Sequence, residues 1–123
     1  MMSDEQIIEI DAQRKGSDPD RSRYIVNQAV KQGGRTVRSG NTLFVFIGDG
    51  KGKVQFMWFT ADQDKKFTDA VNDLLGMLKK SKAKSAYSVY GYPPANNWFR
   101  AVDTKYKPKV TKRDQYFQAE MRL

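Results

Sequence analysis

Few side chains in this sequence could do chemistry, and the missing ones narrow the choice first. There is no histidine and no cysteine. The usual general base near neutral pH, a thiolate nucleophile, disulfides and Cys- or His-based zinc sites are therefore all excluded. Carboxylates, lysines and tyrosines remain. Asp62 and Asp64 stand in a polar turn, and Asp69 and Asp73 lie one helical turn apart. Lysines surround both pairs, so they read as surface charges and not as a magnesium site. No catalytic or metal-ligating residue emerges. The segment GDGKGK (48–53) has the composition of a phosphate-cradling loop. No Gly-Lys-Ser/Thr run and no helix follow it, so it reads as a hairpin turn.

The cations are more informative. The net charge is +8 over 123 residues, and the excess is uneven. Residues 1–60 hold nine Lys/Arg against seven Asp/Glu, and residues 61–123 hold thirteen against seven. Two runs carry the excess, KKSKAK (79–84) and TKYKPKVTKR (104–113). Such a surface favours polyanions or acidic partners. The candidate contacts are Lys79, Lys80, Lys82, Lys84, Trp98, Arg100, Lys105, Lys107, Lys109, Lys112 and Arg113. Aromatic groups interleaved with cations, as around Tyr106 and Trp98, are what single-strand binders use for stacking and phosphate contact. The plainer reading is that Tyr87, Tyr90, Trp98 and Phe99 are half-buried and the lysines are solvated.

The elements that must position these residues follow from periodicity. Residues 1–17 read as an arm that docks weakly or as a short first strand, and 18–123 as one domain. Asp18-Pro19 starts a helix as cap and first helical residue, and Gly33-Gly34 ends it. Residues 43–47 form a strand apolar on both faces, joined through the GDGKGK turn to an antiparallel partner at 54–60. Phe67, Val71, Leu74, Leu75 and Leu78 make one apolar helix face, with Asp62 or Asp64 as cap. Residues 85–92 form the next strand, parallel to 54–60 because a helix joins them. A short helix over 95–106 follows, with Trp98, Phe99 and Val102 inward. One or two closing strands complete the chain. The fold class is α/β (α+β): a mixed, mostly antiparallel sheet with flanking helices. No membrane span or secretory leader is expected.

This element order resembles the GCN5-related N-acetyltransferase (GNAT) fold over roughly residues 18–123. The stretches that carry the likeness are GKVQFMWFTADQ, KFTDAVNDLLGMLKK, SAYSVYGY, ANNWFRAV and QYFQAEMRL. More narrowly, the chain is similar to small GNAT-like internal virion proteins of short-tailed bacteriophages. Active GNAT members carry a glycine-rich loop between the central strand and helix that receives the pyrophosphate of acetyl-CoA. Here the matching ADQDKKFTDA has no glycine and two acids, and the strand 54–60 lacks the base glutamate. The resemblance therefore implies a coenzyme site that has degenerated, with no cofactor. The expectation is a protein that is not an enzyme: a virion-associated structural or interaction module in the virion or host cytoplasm. Its basic surface would contact packaged DNA or other virion proteins, with oligomerisation open. The alternatives are a small basic protein that binds single-stranded DNA or RNA, and an active N-acetyltransferase with a variant loop.

Overall fold

The computed structural model describes residues 1–91 and 98–123, with the side chain of Tyr90 outside the description. A six-stranded sheet has the order β1-β2-β3-β4-β6-β5. The strands are β1 (Arg35–Ser39), β2 (Thr42–Gly48), β3 (Lys53–Thr60), β4 (Ser85–Gly91), β5 (Lys109–Lys112) and β6 (Tyr116–Arg122). Every neighbouring pair is antiparallel except β3 and β4, which run parallel as their helical connection requires. The helices are α1 (Asp4–Lys15), α2 (Pro19–Lys31) and α3 (Asp64–Lys80).

Strand β2 is apolar on both faces because helices cover both. Phe44 faces α3 and joins Val54, Phe56, Phe67, Val71, Leu74 and Leu75 in the larger core. Leu43 and Val45 face α1 and α2 and pack with Ile7, Ile8, Ala29 and Phe59. The five residues predicted for the apolar face of α3 are all buried. Asp18 caps α2 by accepting from the Asp20 N–H at 2.9 Å, with Pro19 in the first turn, as expected.

Residues 4–15 form a full helix and not an arm or short strand. Ser3 and Gln6 make a reciprocal capping box, Gly16 closes the helix at φ 68°, and Ile7, Ile8 and Ala12 are fully or almost fully buried. Arg23 of α2 reaches back to Glu5 and Glu9, pinning the two helices together. Two further differences concern short elements. Strand β1 was not anticipated, because Arg35–Ser39 carries one apolar residue and is fixed by its ladder to β2. Of the helix expected over 95–106, residues 95–97 lie outside the described part, and the rest is two 3₁₀ turns, Trp98–Arg100 and Thr104–Tyr106. Among the described residues no helix is long and apolar enough to cross a membrane.

Candidate active site

The β3–β4 ladder ends early. Its register runs from Lys53↔Ser85 to Phe56↔Ser88, while β3 continues to Thr60 and β4 to Gly91. Among the described residues, the two parallel strands part company and leave one edge of β3 unpaired where α3 begins. A cavity of about 1120 Å³ lies at this joint. Trp58, Phe67 and Trp98 supply an aromatic wall. The two indoles meet edge to face at 4.9 Å, and Phe67 stands 5.3 Å from Trp58.

The start of α3 is unusual. Its N-cap is Gln63, and no side chain caps it, although Asp62 or Asp64 was expected to. Asp62 instead turns back, accepting the backbone N–H of Asn41 at 3.1 Å. Lys66 and Phe67 donate to the Gln63 carbonyl. The N–H groups of Asp64 and Lys65 then have no acceptor within the helix, which leaves partial positive charge at the cavity. Asp64 holds a positive φ of 28°, a conformation that glycine adopts at lower cost.

Helix α1 completes the joint, and this sequence reasoning missed. Arg14 donates to the carbonyl of Thr60 at 2.6 Å and to that of Asp62 at 3.3 Å. Beside it, the buried Asp11 carboxylate accepts the Thr60 N–H at 3.0 Å and pairs with Lys15 at 3.0 Å. Cavity-lining charges are thus Arg14, Lys15 and Lys65 against Asp62, Asp64 and Asp69. The mouth is balanced, where the sequence suggested two acids alone. Signals for α1 were present in Ser3–Gln6, Gly16 and the terminal charges. Nothing in sequence spacing linked Arg14 to Thr60.

The predicted contact residues do not form one surface. Lys79, Lys80, Lys82 and Lys84 are at the end of the sheet where β3 and β4 begin, and Lys109 pairs with Glu120 on the way to that end. Lys112 and Arg113 lie at the far end of β5, Arg100 in the first 3₁₀ turn, and Lys105 and Lys107 about the second. Trp98 is 7% exposed and ringed by Phe56, Trp58, Phe67 and Phe99, so it cannot stack on an outside base. Tyr106 is 3% exposed and equally closed to such stacking. Among the described residues no cluster of carboxylates could hold a metal. The 48–53 segment is a hairpin turn, as read from sequence, with Asp49 accepting the N–H groups of Lys51 and Lys53.

The chain matches no family model and no curated protein. Solved structures do match. A Bacillus subtilis acetyltransferase in complex with CoA aligns over all of this chain and 95% of its own length, with TM-score 0.69 and 14% identity. A Salmonella typhimurium chain assigned as an acetyltransferase, with its cofactor acetyl-CoA, aligns over all of this chain and 91% of its own, with TM-score 0.58 and 13% identity. A third, described as a probable acetyltransferase, covers 97% of this chain and 84% of its own, with TM-score 0.55 and 14% identity. The fold is therefore GNAT-like, a single mixed α+β unit. The expectation of a non-enzyme is corrected by these neighbours, which are described as acetyltransferases, two of them with CoA or acetyl-CoA. They lend no support to a virion role.

Proposed function

We propose that this protein is an acyl-CoA-dependent N-acyltransferase, moving an acetyl group to an amine. The observation that carries this reading is the opening of β3 from β4 beyond Phe56↔Ser88, at the uncapped start of α3 and beside a large cavity. An elongated coenzyme with a polyphosphate needs such a slot and such a helix end.

The residues present fit that group. The N–H groups of Asp64 and Lys65, with the Arg14 and Lys65 side chains, would hold the diphosphate in place of a glycine-rich loop. The Asp62 carboxylate keeps its charge but turns to the Asn41 N–H, and Arg14, Lys15 and Lys65 offset it in the cavity lining. Trp58 and Trp98 would wall the slot and exclude water from the thioester. When bound, acetyl-CoA supplies an activated acetyl group. The chain's own task is then to bind and orient, which can contribute much of an acyl transfer. No residue is assigned as base. Among the described residues the cavity lacks His, Cys and Tyr, and its carboxylates bond backbone (Asp62) or lie in solvent (Asp64, Asp69).

Two tryptophans in the wall make binding visible. Titration with acetyl-CoA should change intrinsic fluorescence and saturate, and Arg14→Ala should weaken binding about tenfold, roughly 1.4 kcal/mol. Because the chain has no cysteine, a thiol reagent then reads only the coenzyme released during transfer to a panel of amines. Absence of binding up to about 1 mM acetyl-CoA, a free energy near 4 kcal/mol, would overturn the reading.

A further inference from the structure

The second feature lies at the other end of β3. Parallel strands start together, so Lys53 and Ser85 are register partners, and antiparallel β6 brings Arg122 opposite Ser85. The loop before β3 and the loop before β4 are therefore neighbours. Lys84 donates its N–H to the Gly52 carbonyl at 2.7 Å, and Leu123 donates to the Lys84 carbonyl at 3.0 Å. The contact is close enough that a Cβ at Gly52 would stand 2.9 Å from the Lys84 side chain. This convergence brings the exposed Lys51, Lys79, Lys80, Lys82 and Lys84 to one end of the sheet, with Arg122 at the same end on the face away from α3.

Little negative charge opposes them. Glu120 is bridged to Lys53 at 3.4 Å, and the Asp49 carboxylate is occupied by the backbone of its own turn. Lys109, the register partner of Glu120, is a further exposed cation two rungs in from this end, on the face away from α3. The negative end of the α3 dipole needs one or two of these lysines and not all of them.

We propose that this surface binds the phosphodiester backbone of a nucleic acid. Two observations favour that partner over an acidic protein. First, the exposed large apolar side chains of the described residues are elsewhere: Met1 at the start of the chain, Ile10 on α1, Tyr24, Ile25 and Val30 on α2, and Val89 and Tyr116. Protein interfaces rely on a buried apolar or aromatic centre, which this surface does not offer. Second, the cations are mostly lysines on loops and a helix end, point charges that suit phosphates spaced along a strand. Trp98 and Tyr106 take no part, because both are buried. Binding is by charge and is not specific for sequence. The surface and the far end of the cleft are about 23 Å apart, the span of β3 from Lys53 to Thr60 at about 3.3 Å per residue, so both can be occupied together. The inference stands independently of the acyltransferase reading.

The test is fluorescence anisotropy of the full chain with a labelled DNA duplex and a labelled single strand. Four to six phosphate contacts predict an affinity loss on the order of 10²–10³-fold between about 50 and 200 mM salt. The variant K79Q/K80Q/K82Q/K84Q should bind at least about tenfold more weakly with a shallower salt slope. A control, R21Q/K66Q/R100Q/R113Q, removes the same charge toward the other end of the molecule, at the starts of α2 and α3, the first 3₁₀ turn and the far end of β5, and should stay within about twofold at about 100 mM salt, where screening confines the effect to about 10 Å. Circular dichroism verifies that both fold. No binding to either nucleic acid at low salt overturns the proposal. So does equal weakening by both variants, or poly-glutamate binding as tightly as DNA at the same salt.

Discussion

The carboxylate of Asp11, 1% exposed, accepts the backbone N–H of Thr60 at 3.0 Å and so ties the first helix to the last residue of β3. That N–H is at the strand end where the ladder to β4 has already stopped. Without Asp11 it would be a buried donor with no acceptor. The same carboxylate holds Lys15 at 3.0 Å and lies 3.6 Å from Arg14, which itself binds the Thr60 carbonyl. One polar cluster on α1 therefore sets the end of the cleft.

Asp11→Ala should lower stability by about 2–3 kcal/mol, the cost of an orphaned buried donor plus lost packing. Asp11→Asn keeps an acceptor for Thr60 and loses only ion pairs to half-exposed partners, so its cost should be under about 1 kcal/mol. Urea midpoints measure both. Equal losses for the two variants would mean that the charge, and not the Thr60 hydrogen bond, is what the fold uses.

Asp64 invites the opposite change. It sits at φ +28° in the first turn of α3, exposed at the cavity. Asp64→Gly removes both an unfavourable backbone conformation and an anion from the proposed phosphate site. Acetyl-CoA should then bind about three- to tenfold tighter. Stability should change by less than about 1 kcal/mol, because relief of the backbone offsets a lost helix-start acid and added chain entropy. Weaker binding by the glycine variant would show that Asp64 assists the ligand.

How legible was this site beforehand? Helices α2 and α3 announced themselves through cap residues and a repeating apolar face, and the Asp49–Gly52 turn through its Asp-Gly step. The parallel pairing of β3 and β4 followed from the helix between them. Helix α1 was obscure because its buried face carries Asp11 beside Ile7, Ile8 and Ala12, while Ile10 is exposed. A polar residue on the inner face and an apolar one outside blur the periodicity that marks a helix. Strand β1 has only Val37 as an apolar residue and depends on β2 for its existence. The charge around the cleft is more mixed than the sequence suggests, for a related reason. Counting Asp62 and Asp64 as guards ignored where side chains turn: Asp62 faces Asn41, and Arg14 arrives from 46 residues away along the chain.

Asp49 offers a pH test remote from the cleft. The N–H of Lys51 at 2.7 Å and that of Lys53 at 3.1 Å hold its pKa below the ordinary 3.8. A folded-state pKa below the unfolded one contributes stability that is present above the unfolded value and lost as pH falls through the folded value. The hairpin contribution should therefore fade below about pH 4, and the acid side of the stability curve should flatten in Asp49→Asn. Side-chain carboxyl NMR reads the titration directly. An Asp49 midpoint at or above 3.8 would contradict the hydrogen-bond geometry of this turn.

Ser88 supplies the last test, at the rung where the strands separate. It pairs with Phe56 on one side and Ala119 on the other, is 0% exposed, and its hydroxyl has no hydrogen-bond partner among the described residues. A buried, unsatisfied hydroxyl costs about 1–3 kcal/mol, whereas alanine fills nearly the same space with no polar atom. Ser88→Ala should stabilise the free protein by about 1 kcal/mol, shifting the urea midpoint upward with an unchanged slope. Ser88→Val adds volume against Phe56 and should destabilise by about 1–3 kcal/mol. The pair of variants separates polarity from packing, since only the first removes the hydroxyl without enlarging the side chain. A loss of stability in Ser88→Ala would mean that the hydroxyl is paired in solution, and the end of the β3–β4 ladder would then be more closed than its register implies.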